Sequence, residues 1–498
     1  MSRPVPTREL LNQLPDKTLV GPIPSTITGI AYDSRKVGRG DCFVAVTGFK
    51  QDGRRFVADA LQRGAAMIVA EPPDPAPDAA VARVLVPDVR RALARLADAY
   101  HGHPSRSLRV IGITGTNGKT TTSYLVEALL REVAGRTGVI GTIQYLIGDE
   151  ALPASQTTPE APELQALLAR MRDAGVEGVS MEVSSHALEL HRVDGVAFDV
   201  GIFTNLTQDH LDFHSTLDAY RRAKRRLFEA VAASPKADAA AVVNTDDING
   251  PAMVDGLRLR TITFGLGRLA TVRPLERAST LDGIRMTVTS PDGRCDLRSP
   301  LIGEHNVMNL LGAFGCGLAL GMRPDRIAAV LGSVTTVPGR FERVDAGQPF
   351  LVVVDYAHTP DALERVLTTA RALTAGRLAV VFGCGGDRDR GKRPIMGEIA
   401  ARIGDRVWVT SDNPRSERPE AIVEEIVTGV RRHAAAGDLY VAMPAREAAI
   451  RDALRWARAG DTVVIAGKGH ETYQIIGTQV LPFDDRAVAR QILRERAA

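Results

Sequence analysis

A lysine and two threonines at the mouth of a glycine-rich turn are residue types suited to polyphosphate. In Gly112-Ile113-Thr114-Gly115-Thr116-Asn117-Gly118-Lys119-Thr120-Thr121 the apolar run LRVIGIT leads in as a buried strand. A helix predicted over Lys119 to Val133 leads out, which is the setting a phosphate loop requires. Glycines let backbone N–H groups wrap a phosphate chain, and the start of the helix adds partial positive charge there. Lys119 is placed to neutralise β- and γ-phosphates, and the Thr120 hydroxyl to ligate Mg²⁺. The loop departs from GxxxxGK[ST] at Ile113, where glycine is expected; its glycines fall at 112, 115 and 118.

Two further strand ends carry metal-binding side chains. Glu182 closes GVSMEV, and Asp209-His210 follow FDVGIFTNL. In a parallel sheet the carboxyl ends of strands converge beside the phosphate loop. Glu182 is therefore a candidate oxygen ligand for a second Mg²⁺, with His210 joining it. The segment Asp209 to His214, with His186 and His191, also fits a zinc hydrolase, although such an enzyme has no need of a phosphate loop. His191 and His214 can equally be structural. In AYRRAKRRLFEA, Lys224 sits among Arg221, Arg222, Arg225 and Arg226, and the arginines read as a solvated basic face.

Near the other end, Asp412-Asn413-Pro414-Arg415 follows the strand RVWVT. The planar fork of Arg415 suits a carboxylate; the bland alternative is an ordinary Asx-Pro turn. Gly383-Cys384-Gly385-Gly386 lacks the GxGxxG spacing and is not read as a dinucleotide site.

These groups need a scaffold of several cores, because 498 residues exceed what one core organises. Short strands and few helices occupy 1–106, interrupted by the Pro-rich surface loop EPPDPAPDAA. From 107 to 336 apolar strands alternate with longer helices, followed by a polar β-rich stretch, Thr261 to Ser299, and a helix opening at GEHNVMNL. After Val337-Pro338-Gly339, residues 337–498 repeat the α/β theme through FLVVVD, LAVVFG, RVWVT and TVVIAG. Strand–helix alternation predicts parallel sheets covered by helices. The fold class is α/β, in three domains.

With 62 Lys+Arg against 59 Asp+Glu the net charge is +3, so no global field points to nucleic acid. Cys42, Cys295, Cys316 and Cys384 are scattered, without a CxxC pair, which argues against a disulfide framework and fits a reducing cytosol. The first twenty residues lack an apolar core, so no signal peptide is expected. The stretch Leu310 to Met322 is too short to span a bilayer and reads as a buried helix.

Taken in order, GTNGKTT, MEVSSHAL, TNLTQDHLDFH, AYRRAKRRLF, GEHNVMN, PGRFE, VDYAHTPDALE, GCGGDRDRGKRP, DNPRSE and GKGHE resemble the Mur ligase family over nearly the whole chain. Within it the likeness is to members that add meso-diaminopimelate to UDP-N-acetylmuramoyl-L-alanyl-D-glutamate. The resemblance implies a UDP-binding N-terminal α/β domain, a central P-loop-type ATPase domain with a parallel sheet, and a mobile Rossmann-like C-terminal domain. It implies ATP as co-substrate, Mg²⁺, and a CO₂-derived carbamate on Lys224 that turns a cation into a metal ligand beside Thr120, Glu182 and His210.

It also implies ATP contacts at Gly115, Thr116, Asn117, Gly118, Lys119, Thr120, Thr121, Asn306, Arg340, Asp355 and His358. Contacts to the nucleotide-linked peptide are implied at Ser34, Gln156, Thr157, Thr158, Ser184 and Arg192, with Asp33 and the loop GFKQDGRRF nearby. Leu190 departs from the pattern, since relatives often carry Gln there. Amino-acid contacts are implied at Arg388, Asp412, Asn413, Pro414, Arg415, Gly467 and Glu471. A bidentate Arg415 favours the distal carboxylate of diaminopimelate and repels the ammonium of lysine. The expected protein is cytoplasmic and monomeric, binding neither nucleic acid nor membrane. A sister ligase adding L-lysine or another amino acid, including one of folylpolyglutamate type, and a P-loop switch that hydrolyses ATP without an acceptor, are the alternatives.

Overall fold

The computed structural model describes residues 4–48, 51–76, 80–433 and 439–497. Phe49 and Lys50 of the GFKQDGRRF loop, residues 77–79 of the Pro-rich loop and the side chain of Asp212 lie outside the described residues. The chain forms two compact units, residues 1–273 with 312–323, and residues 274–311 with 324–498.

The first unit holds a short antiparallel pair, Val5–Pro6 with Thr26–Ile27, and two larger sheets. The smaller orders Thr18–Val20, Ala82–Leu85, Met67–Ala70, Cys42–Val44 and Ile30–Ala31, parallel except for the first strand. The larger has eight strands, in the order Glu150–Pro153, Gln144–Ile147, Thr137–Ile140, Gly178–Glu182, Arg109–Thr114, Val200–Phe203, Ala240–Asn244 and Arg260–Phe264. The last six are parallel, and their residues are mostly buried on both faces, as the apolar runs require. The first two differ from the expected all-parallel sheet. They form a hairpin with only Gly148 and Asp149 between paired Ile147 and Glu150, and a two-residue connection permits only antiparallel pairing.

Helix Lys119–Ala134 leaves the glycine-rich loop as predicted, and helix Leu217–Ala232 packs Leu227 and Phe228 into the central core. Arg221 and Arg222 of the latter pair with exposed Asp218, consistent with a solvated face. Arg225 and Arg226 do not fit that description: Arg225 Nη2 donates to Asp255 O at 2.5 Å, and Arg226 Nη1 to Leu188 O at 3.2 Å. Arg225 ties the helix to the turn at Asp255, and Arg226 ties it to helix Ser185–Glu189.

The second unit has a six-stranded sheet ordered Glu342–Arg343, Leu351–Asp355, Thr462–Ala466, Leu378–Phe382, Arg406–Val409 and Tyr440–Ala442, parallel but for the first strand. Two apolar clusters cover its faces, one with helices Pro360–Leu373, Lys392–Ile403 and Pro419–His433, the other with Arg446–Trp456 and Asp485–Ala497. A three-stranded sheet over Arg273–Thr280, Gly283–Ser290 and Gly293–Ser299 accounts for most of the polar β-rich stretch. The buried helix expected at Leu310 begins earlier, at Glu304, and buries Leu310, Leu311, Phe314 and Leu318. Among the described residues no helix is long and apolar enough to cross a membrane.

Candidate active site

The loop after strand Arg109–Thr114 closes on the loop after strand Val200–Phe203. Thr116 N donates to Asn205 O at 2.8 Å, Asn117 N to Asn205 Oδ1 at 3.0 Å, and Thr204 Oγ1 to Asn117 O at 2.6 Å. Gly115 has to be glycine here, since a Cβ would lie 1.9 Å from Thr204 Oγ1. The loop therefore forms around Gly115 although Ile113 replaces the usual first glycine. Gly118 caps the helix in a left-handed conformation, and Thr120 and Thr121 are buried in its first turn. Lys119 Nζ folds back onto Gly115 O and Thr116 O, each at 2.8 Å, which holds the ammonium at the loop mouth.

Glu182, at the end of the neighbouring strand, is buried. Its Oε1 accepts from Thr142 N at 2.9 Å and its Oε2 from Thr142 Oγ1 at 3.1 Å. Thr142 Oγ1 also lies 3.1 Å from Thr157 Oγ1, and Thr158 Oγ1 donates to Glu182 O at 2.8 Å. Ser184 N donates to Thr158 Oγ1 at 3.1 Å, and the Ser184 side chain caps helix Ser185–Glu189. Arg192 reaches Gln156 Oε1, Thr158 O and Glu160. Gln156, Thr157, Thr158, Ser184 and Arg192 thus form one connected patch joined to Glu182. Ser34 is buried at the start of a short 3₁₀ turn capped by Asp33, and among the described residues no hydrogen bond joins it to that patch. Leu190 ends the turn after Glu189 and is half-buried.

Lys224 is 1% exposed, and its Nζ lies 4.3 Å from the centre of the Tyr220 ring. Burial pushes its amine well below the usual lysine range, and the positive charge of Lys119 adds to this, against a smaller pull from Asp209. The Tyr220 hydroxyl lies 3.2 Å from Thr116 Oγ1, so the same tyrosine links the lysine to the phosphate loop. His210, at φ 53°, packs its ring 4.7 Å from that of His186, with Asp209 3.4 Å from its Nε2. Among the described residues no three His, Cys, Asp or Glu side chains group closely enough to hold a metal. Burial favours the uncharged amine of Lys224, the form able to add CO₂, and Thr120 and Glu182 carry oxygen donors of the kind Mg²⁺ takes. His191 bonds Asp194 at 2.8 Å, a structural contact.

In the second unit, buried Asn306 donates to Ile302 O at 2.8 Å and accepts from Asn309 at 2.8 Å. Asp355 ends its strand with both oxygens engaged, by Phe341 N at 2.7 Å and Ala357 N at 2.8 Å, while burial raises its pKa. Arg340 stacks 4.7 Å from the Tyr356 ring, and His358 Nδ1 lies 2.8 Å from Tyr356 O. Arg340, Asp355 and His358 therefore share one strand end.

The Asp412–Arg415 turn is no ordinary surface turn. Arg415 adopts φ 52°, its N donates to Ile475 O at 3.1 Å, its O accepts from Gly477 N at 2.7 Å, and its Nη1 donates to Gly386 O at 2.8 Å. Gly386 packs so closely that a Cβ would lie 1.9 Å from Pro414 O, and one at Gly383 would lie 2.3 Å from Thr410 O, which explains glycine at both positions. Asn413 Nδ2 donates to Glu471 Oε2 at 2.9 Å, and Asp412 O accepts from Gln474 Nε2 at 2.7 Å. Gly467 lies against Asp412, whose Oδ2 is 2.7 Å from where its Cβ would be. Arg388 sits on the same glycine loop, donating to Asp387 O at 3.2 Å. Thr142, Tyr220 and the hairpin Tyr473–Pro482 were not singled out by the sequence. Their roles depend on contacts between distant segments, and only their nearness to strand ends could have hinted at them.

Comparison with known proteins gives three domain matches in order: the Mur ligase family catalytic domain over residues 26–101, the middle domain over 113–317, and the glutamate ligase domain over 339–469. A protein of Solibacter usitatus named UDP-N-acetylmuramoyl-L-alanyl-D-glutamate--2,6-diaminopimelate ligase is 48% identical over 94% of each chain. One of the same name from Syntrophomonas wolfei is 45% identical over 98% of each. A solved structure of that ligase aligns at 35% identity and TM-score 0.70, covering 95% of this chain and 96% of its own.

Proposed function

We infer the reaction from the premise that the chain belongs to the Mur ligase family. The protein is an ATP-dependent ligase that joins meso-diaminopimelate to the D-glutamate side-chain carboxylate of UDP-N-acetylmuramoyl-L-alanyl-D-glutamate, in peptidoglycan precursor synthesis. The γ-phosphoryl group of ATP passes to that carboxylate, and an amine of the diamino acid then displaces phosphate to leave an amide. The working division is a UDP-binding region at 1–106, an ATPase region at 107–336 and an amino-acid region at 337–498, and the setting is the cytoplasm.

The phosphate loop 115–121 binds the polyphosphate, with Lys119 leaving its own loop carbonyls for the β/γ-phosphates. Asn306, Arg340, Asp355 and His358 serve the rest of the nucleotide. Ser34, Gln156, Thr157, Thr158, Ser184 and Arg192 bind the nucleotide-linked peptide. Thr120, Glu182, His210 and a carbamate on Lys224 hold Mg²⁺, which supplies charge neutralisation at the transferring phosphoryl group. His210 is also the candidate to take the proton of the attacking amine. Arg388, Asp412, Asn413, Pro414, Arg415, Gly467 and Glu471 form the amino-acid subsite, with Arg415 on the distal carboxylate and Glu471 on an ammonium.

The observation that carries the substrate reading is Arg415, fixed in a left-handed conformation by backbone bonds on both sides, so that its guanidinium is pre-oriented. The test is phosphate release with the muramoyl dipeptide substrate, comparing diaminopimelate, lysine and no amino acid. Release only with diaminopimelate is expected. Equal release with lysine overturns the selectivity, and release without an acceptor identifies an ATPase switch instead.

A further inference from the structure

The least expected side chain near the Asp412–Arg415 turn is Lys468, a cation with no exposed surface. It follows strand Thr462–Ala466 in the loop that ends at Glu471. Its Nζ donates to Glu471 Oε2 at 2.9 Å and to Asn413 Oδ1 at 3.2 Å, and lies 5.5 Å from the centre of the Tyr473 ring. A buried ammonium is kept only where its donors are satisfied and its charge is paired. Here the partners are two side chains of the proposed amino-acid subsite, one from each of two strand ends.

The hydrogen-bond pattern shows what the lysine fixes. Asn413 Oδ1 accepts from both Lys468 Nζ and Ile475 N, the latter at 3.0 Å. With the amide oxygen held from that side, the amide nitrogen faces Glu471 and donates to Oε2 at 2.9 Å. Reversing the amide would set its NH₂ against two donors, and the network forbids it. Glu471 is thus held through Oε2 by two donors, and among the described residues no hydrogen bond falls on Oε1. The lysine balances the carboxylate charge within the protein while leaving one oxygen for a ligand.

We propose that Lys468 is a positioning residue that presents Glu471 and Asn413 to the ammonium end of the incoming diamino acid. The inference rests on the amino-acid subsite described above and adds to it a residue that does not touch the substrate. Without the lysine, Asn413 Oδ1 keeps only its bond from Ile475 N, and Glu471 keeps only Asn413 as a side-chain donor and loses its buried counter-charge.

Steady-state kinetics on the full-length enzyme separate this from a merely structural role. Lys468→Met is expected to raise the KM for diaminopimelate at least tenfold, with KM for ATP and for the nucleotide-linked peptide within twofold. Because Lys468 acts through Glu471, the double variant Lys468→Met/Glu471→Gln is expected to be no worse than Glu471→Gln alone. If Lys468→Met does not fold, Lys468→Arg keeps the charge but displaces the pair, and the same selective rise in KM is expected. An unchanged KM for diaminopimelate in the variant that folds, or fully additive losses in the double variant, overturns the proposal. Diaminopimelate-dependent phosphate release by the unsubstituted enzyme reports on the reaction itself, so a failure there is recognised separately.

Discussion

Thr142 grips Glu182 at both carboxylate oxygens, with its backbone N on Oε1 at 2.9 Å and its hydroxyl on Oε2 at 3.1 Å. The same hydroxyl lies 3.1 Å from Thr157 Oγ1, which belongs to the proposed peptide-binding patch. The carboxylate proposed to bind metal and the hydroxyl proposed to bind substrate therefore share one anchor.

Thr142→Val keeps the shape and the backbone bond but removes the hydroxyl. A hydrogen bond to a charged group contributes about 1.5–3 kcal/mol, so turnover is expected to fall roughly tenfold or more. The Mg²⁺ concentration for half-maximal activity rises with it, while Thr142→Ser stays close to the original. Magnesium titrations of the three proteins check this, and an unaltered midpoint in Thr142→Val counts against Glu182 as a ligand.

Lys224→Ala removes the group proposed to carry the carbamate, and phosphate release is expected to drop to background. Short carboxylic acids restore part of the activity if a carboxylate is what is missing. On the unsubstituted protein, ¹³C-bicarbonate gives a carbamate carbonyl signal that Lys224→Ala lacks. The lowered lysine pKa sets the direction with pH: acidification protonates the amine and the signal weakens, while alkaline solution strengthens it. A signal of equal strength in both proteins places the carbamate elsewhere.

The parts legible in the sequence are those where one segment carries the chemistry. Lys119, Thr120 and the helix after them follow from local spacing, and the missing glycine at 113 did no harm because Gly115 takes the close approach to Thr204. The apolar runs around Val353, Val380 and Val464 read correctly as strands because both their faces are buried. Thr142 is different: forty residues separate it from Glu182, and nothing in its neighbours signals the contact. Lys468 lay within a recognisable segment, GKGHE, yet its role depends on Asn413, fifty-five residues away. The hairpin Tyr473–Pro482 that pins Arg415 was invisible for the same reason.

His470 titrates far below a free imidazole, at about 3, chiefly because it is buried, with Arg340, Arg486, His358 and Lys468 adding positive charge. Between about pH 6.5 and 3 the unfolded chain binds a proton at this residue and the folded chain does not. Stability from this group is therefore present above the unfolded pKa and falls as pH drops through that window, by at most about 1.4 kcal/mol per pH unit. Thermal midpoints measured from pH 7 to pH 4 are expected to fall less steeply in His470→Gln. Parallel profiles would show that other groups govern acid sensitivity.

Arg415→Ala tests the selectivity argument. The substitution deletes both the fork that would meet the carboxylate and the bond from Nη1 to Gly386 O, while the φ of 52° is borne by a Cβ in either residue and does not distinguish them. Two effects are thus mixed, and Arg415→Lys separates them, since it keeps a side chain and a charge but loses bidentate geometry. For a charged contact of about 1.5–3 kcal/mol, the KM for diaminopimelate rises tenfold or more in the alanine variant, with KM for ATP little changed. The lysine variant falls between the two. Preference for diaminopimelate over lysine narrows in both, because the cation that repels lysine's ammonium is gone in one and poorly aimed in the other. Circular dichroism melts show how much of the loss comes from the missing bond to Gly386 O. An undiminished preference in Arg415→Ala assigns recognition of the distal carboxylate to another residue, with Arg388 on the adjoining glycine loop the first to examine.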